Sequence, residues 1–167
     1  MTRDTYIRMT TATGRLLGRL PGGTHLLPLP TLACAGAYLF TLLHLMLARD
    51  IRLIRVLLVP AVCCVVCTVL RPLIWRQRPY DHFDARPVGS YKPGKSKSMP
   101  SRHTASAAAI ALAVAYVYPF PAVIAGMAIL CALIAGLRVL CGQHYPSDVL
   151  AALLLSLVIS VIGYILI

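Results

Sequence analysis

The chain has 167 residues, of which 59% are hydrophobic and 13% charged, against about 25% charged in an ordinary soluble domain. Long apolar stretches therefore dominate, and a lipid bilayer rather than water is the expected solvent. Net charge is +11 with only five acids, all of them Asp; this leaves few ligands for a two-metal catalytic site, and a chain mostly in lipid makes nucleic acid a poor partner.

Residues 1–24 are polar and basic, with Arg3, Arg8, Arg15 and Arg19 interleaved with apolar residues and Gly22-Gly23 at the end. This pattern suits a helix lying on the membrane surface, so residues 1–25 are expected as a basic interfacial segment and 26–167 as the membrane domain. The apolar stretch does not begin until about Leu26, and no cleavable signal peptide is expected. The first apolar run covers roughly Leu26–Ala48, with regular helix expected after Pro28 and Pro30. A polar link, Arg49-Asp50-Ile51-Arg52, follows. The second run covers roughly Ile54–Leu70, with a kink expected at Pro60. Cys64 and Cys67 form a lone C-x-x-C inside it, read as small packing residues.

Residues 71–100 form the one long polar segment. Its Trp75, Tyr80, Phe83 and Tyr91 suit a membrane interface. The third run covers about Ser101–Tyr118 and is rich in alanine. The Pro119-Phe120-Pro121 turn ends it. The fourth run, about Ala122–Leu140, carries Ala125, Ala128, Ala132 and Ala135, a small-residue stripe that suggests a place at the centre of the bundle. The fifth run covers about Pro146–Ile167. Each run is near the ~20 residues that cross the hydrocarbon. The expected fold is an all-α integral-membrane bundle of five transmembrane helices, six if the N-terminal segment also crosses.

Three polar clusters stand at the edges of these runs, where charges are costly and are candidates for function. The first is Arg71-x6-Arg78-Pro79, whose guanidinium forks match phosphate oxygens. The second is Pro100-Ser101-Arg102-His103, which places a capping Ser and a first-turn His at a helix N-terminus, a natural anion site. The third is Arg138-x5-His144-x3-Asp148, in which a carboxylate four residues on can hold the imidazole's tautomer and leave its other nitrogen nucleophilic. Each cluster alone also reads as interfacial charge or helix capping. Counting crossings adds a constraint. No run separates the first cluster from the second, and two runs separate the second from the third, so all three lie at one membrane face.

These motifs, in this order and spacing, resemble those of the type 2 phosphatidic acid phosphatase (PAP2) family, which includes lipid phosphate phosphatases and undecaprenyl-diphosphate phosphatases. The resemblance covers about residues 54–167. It departs from the family pattern at Arg71, where Lys is usual, at Arg102, where Gly is usual, and at Leu137, where Ser is frequent. The family core usually has six transmembrane helices.

The resemblance implies a metal-independent membrane phosphatase without cofactor, acting on a lipid phosphate or diphosphate through phosphohistidine. It implies His144 as nucleophile, Asp148 as its orienting carboxylate, and His103 as proton donor and then base. It implies Arg71, Arg78, Ser101 and Arg138 as phosphate ligands, with Arg102 a further donor or a solvent-facing side chain. It also implies a bacterial cell membrane with the site on the extracytoplasmic face, although the basic segments permit the reverse orientation. A lipid phosphotransferase using the same histidine and a non-catalytic lipid- or anion-binding membrane protein remain as alternatives. The substrate is open among phosphatidate, phosphatidylglycerophosphate and a polyprenyl diphosphate. Lys92, Lys95 and Lys97 could contact a second phosphate or simply form a headgroup-facing loop.

Overall fold

The computed structural model describes residues 1–89, 91 and 97–166; Lys92 and Lys95 lie outside the described residues. Among these, every regular element is helical. They are α1 (Arg3–Arg19), a single 3-10 turn (Gly23–Leu26), α2 (Leu29–Leu47), α3 (Arg52–Ile74), the one-turn α4 (Pro79–His82), α5 (Arg102–Val117), α6 (Pro121–Leu140) and α7 (Pro146–Leu166). The protein is an integral-membrane bundle of α2, α3, α5, α6 and α7. Four of these are long and apolar enough to cross a bilayer by themselves. The fifth, α5, has 16 residues, and it packs against all four of the others. Exposed Leu39, Phe40, Leu57, Val65, Leu133 and Leu154 face outward from the bundle, as lipid-facing residues must.

The alanines explain the central place of α5. Ala105 and Ala109 meet Cys63 and Cys67 of α3 and Ala152 of α7. Ala107, Ala108 and Ala111 meet Cys34 of α2 and Met127, Cys131 and Ile134 of α6. Ala113 meets Leu45 of α2 and Val56 of α3. Small side chains on every side of one helix let four others approach it closely. The stripe on the fourth run does not do this. Ala125, Ala128 and Ala132 of α6 are exposed, and only Ala135 is buried. The centre is therefore the third run rather than the fourth, because α5 is small all round and α6 is small only along part of one face. A second close approach joins α3 and α7: a Cβ on Gly163 would sit 2.6 Å from Val59.

The element boundaries shift in two places. The second helix runs on through Pro72 to Ile74, so Arg71 lies inside its last turn instead of after it. The first begins at Leu29, with Pro30 in its first turn, where a missing N–H costs nothing. Pro60 lies inside α3 and cannot donate to the carbonyl four residues back. That carbonyl belongs to Val56, and the Tyr38 hydroxyl of α2 donates to it at 2.8 Å. In lipid an abandoned carbonyl has no water to turn to, so a side chain from the next helix replaces the lost bond. At the same end, Asp50 accepts from the Arg52 N–H (2.8 Å) and from its guanidinium (2.7 and 2.9 Å); these bonds hold its pKa below the usual carboxylate range.

Tyr38→Phe removes the hydroxyl that donates to the Val56 carbonyl at nearly constant shape. It is expected to lower stability by about 1 kcal/mol, read as a reduced unfolding midpoint in detergent, with no loss where Pro60→Ala restores the backbone donor.

Candidate active site

Each polar cluster owes its place to a helix end. Arg71 is carried on the last turn of α3, buried, and its Nε donates to the Lys97 carbonyl at 3.0 Å, with Nη2 directed to the same oxygen. Beyond α3, Trp75 adopts a left-handed conformation and stops the helix. The chain then returns to the bundle: the Ser98 N–H donates to the Arg76 carbonyl (2.9 Å) and the Ser101 N–H to the Asp148 carbonyl (3.1 Å). The second bond ties the start of α5 to the start of α7. It brings the second and third clusters together at the same end of the bundle as the first.

Asp148 is the third residue of α7 and has no exposed surface. Its carboxylate reaches back to the Tyr145 N–H (3.0 Å), as acids at this helix position do. The same oxygen, Oδ2, accepts from the Ser98 hydroxyl at 2.5 Å. The other, Oδ1, pairs with Arg76 at 2.8 Å. His144 is buried, with Nδ1 3.5 Å from Asp148 Oδ2 and 3.4 Å from Ser98 Oγ. The expected His–Asp pair is thus present at ion-pair distance, while the shortest bonds to the carboxylate come from elsewhere. Nε2 is the ring nitrogen turned away from the carboxylate.

Burial lowers the pKa of His144, and the nearby Arg78 and Arg71 charges push the same way; Asp148 opposes them. Burial and the arginine charges therefore favour the neutral imidazole. His103, in the first turn of α5, is exposed and lies within electrostatic reach of Arg138, His144, Arg102 and Arg71. Arg78 donates to the Tyr80 hydroxyl (2.9 Å), yet its buried Nε has no partner among the described residues. Arg138 donates to the Gln143 side chain at 2.5 Å. Arg102 is exposed and makes no hydrogen bond to a described residue. Ser101 occupies the cap position of α5 without making the capping bond; its hydroxyl accepts from Thr104 at 3.0 Å instead. Among the described residues no three His, Cys, Asp or Glu side chains converge as a metal ion would need.

Three participants carry little sequence signal. Arg76 is hidden between Arg71 and Arg78, where it reads as one more interfacial cation. Ser98 belongs to no motif. The third is α1, whose buried Tyr6, Thr10 and Leu17 face the protein instead of lying free for lipid. The Tyr6 hydroxyl is shared between the Ala85 (3.1 Å) and Gly142 (3.3 Å) carbonyls. Gly142 has φ +74°, and a Cβ there would sit 2.6 Å from both the Tyr6 hydroxyl and Thr10. The N-terminal helix is thereby fastened over the loop that carries His144.

An all-helical membrane bundle with two histidines, a buried carboxylate and several arginines at one end defines a membrane protein with a charged site at one face of its bundle. The PAP2 superfamily model matches residues 52–167, well over half the chain, and the protein belongs to that superfamily. Two solved structures share its fold. One is the PAP2-type phosphatidylglycerolphosphate phosphatase of Bacillus subtilis, 22% identical, with a TM-score of 0.62 over 98% of this chain and 75% of that one. The other is Aquifex aeolicus LpxE, 20% identical, with a TM-score of 0.69 over 96% and 93%. No curated protein sequence matches the chain.

Gly142→Ala combines a strained backbone with a steric collision. It is expected to release α1, seen as faster tryptic cleavage at Arg8 and Arg15 in detergent while the bundle core stays resistant.

Proposed function

We propose that the protein is a metal-independent phosphatase that hydrolyses a lipid phosphate or diphosphate through a phosphohistidine on His144. The observation that carries this reading is the buried His144, with its Nδ1 3.5 Å from Asp148 and with Arg71 and Arg78 near enough to act on it electrostatically. An unprotonated imidazole with one nitrogen turned from its carboxylate is a nucleophile, and the arginines hold the three negatively charged equatorial oxygens of a phosphoryl group, which share the charge of a phosphate dianion.

In this reading His144 Nε2 attacks phosphorus in line. The bond to the lipid oxygen breaks, and His103 gives that oxygen a proton. A phosphoramidate is left on His144. Neutral His103 then takes a proton from water as the water oxygen attacks phosphorus, and inorganic phosphate leaves with the histidine restored. Asp148 holds the His144 ring and offsets the positive charge that develops on it. Arg71, Arg78 and Arg138, with Ser101 and the α5 N-terminus, hold the oxygens. Arg102, being exposed, is assigned to the entrance.

A lipid rather than a soluble ester is supported by a cavity of about 270 Å³ beside His103 and Arg102. Its walls are mainly apolar, with Cys34, Ala35, Ala107, Ile110 and Ile134 among them. It is placed to take the start of a hydrocarbon chain while the phosphate sits against the arginines. Residues 1–25 are assigned to the interface at the site's end of the bundle, and the site to the extracytoplasmic face of a bacterial cell membrane.

His144→Ala is expected to lose roughly 10³-fold or more in turnover and His103→Ala about 10²-fold or more. Phosphate release from phosphatidate, phosphatidylglycerophosphate and a polyprenyl diphosphate, each with and without chelator, checks this; wild-type turnover by His144→Ala would sink the proposal, and so would its loss in chelator. The lowered pKa of His144 has a definite sign. The nucleophile stays unprotonated below the ordinary histidine value of about 6.5, so kcat/KM on the acid side is expected to halve at a pH lower than that.

A further inference from the structure

The Asp148 carboxylate has more donors than an orienting role for His144 requires, and Arg76 is the one that carries charge. Arg76 Nη1 donates to Asp148 Oδ1 at 2.8 Å and to the Ser147 hydroxyl at 2.8 Å. Its guanidinium lies over the Tyr145 ring, 4.3 Å from the centroid. Its carbonyl accepts the N–H of Ser98, whose hydroxyl holds Oδ2. One residue thus grips the start of α7 at three positions, 145, 147 and 148, and ties down the loop that supplies the other carboxylate donor.

We propose that Arg76 is a positioning residue for the phosphatase reaction, acting through Asp148: it fixes the carboxylate from the side opposite His144 and moderates the negative charge that His144 feels. The inference rests on the reaction proposed above. The groups facing His144 are Asp148 from α7, Ser98 from the loop before α5, His103 from α5, and Arg71 and Arg78 from α3 and the segment after it. Asp148 is the one anion among them. Without Arg76, Oδ1 loses the donor at 2.8 Å that it has among the described residues, and the carboxylate's charge is no longer shared. The His144 ring then holds a proton to higher pH, which removes the nucleophile on the acid side. The Ser98 and Tyr145 bonds to Oδ2 survive, so the carboxylate stays seated and the effect is electrostatic before it is structural.

The test is Arg76→Met and Arg76→Lys, with Arg76→Gln in place of Arg76→Met should the latter not fold in detergent. In Arg76→Met, kcat is expected to fall about tenfold with KM changed far less, and the acid limb of kcat/KM to move up by about one pH unit. Arg76→Lys, which restores charge without the fork, should recover the limb and part of kcat. In an Asp148→Asn background the Arg76 substitution should cost nothing more. Full kcat with an unmoved limb in Arg76→Met overturns the proposal, as does an equal loss in both backgrounds. Titration of the His144 ring by NMR, with its signals assigned through His144→Ala, separates this idea from the reaction itself. An upward shift in Arg76→Met without lipid phosphate turnover by the wild type keeps the Arg76–Asp148 coupling and discards the phosphatase reading. Turnover with an unshifted titration does the reverse.

Discussion

A carboxylate with no exposed surface at the mouth of a membrane helix survives only if every lone pair is answered. Asp148 meets that demand with Arg76, Ser98 and the Tyr145 N–H, and with His144 at slightly longer range. These donors come from three different stretches of chain. Satisfying one buried charge therefore gathers the end of α3, the loop before α5 and the junction of α6 with α7. The arrangement around the histidine follows from that gathering, since His144 is placed by the same loop that Asp148 pins.

The bundle makes this possible by drawing its helices close. α5 has alanine on nearly every face, so the helices that carry Arg71, His103, Arg138 and Asp148 start or end within one small region. Larger residues on α5 would push these helix ends apart and separate the arginines. Close packing also brings cost, because like charges accumulate: Arg102 and Arg78 both act electrostatically on Arg71. Among the described residues the buried Nε of Arg78 also lacks an acceptor.

The helical class and the five long runs are legible because an apolar stretch of fixed length has few meanings in a chain this poor in charge. The gathering of the three polar clusters at one end is also legible, since it needs only the number of crossings between them. What the residues around a position cannot reveal is a partner far away in sequence. Arg76 looks like its basic neighbours, and its pairing with a carboxylate 72 positions on leaves no local trace. Ser98 is equally silent. The alanine stripe of α6 misleads for a related reason: small residues permit close approach on a face, but only the neighbouring helices decide whether that face is used. The likeness of α1 to a lipid-bound helix fails to reveal Tyr6, whose acceptors are carbonyls near residues 85 and 142.

The proline at position 60 gives α3 a feature that packing alone would not. Apolar helix faces slide and rotate against each other with small changes in energy, because one leucine resembles the next. A carbonyl that its own helix cannot serve breaks that degeneracy. The Tyr38 hydroxyl reaches it at only one height and one rotation of α2, so the two helices are indexed like a key cut to a single notch. A missing backbone bond thereby becomes a mark of alignment. It allows a small bundle, held by weak and nearly interchangeable contacts, to return to the same arrangement each time it assembles.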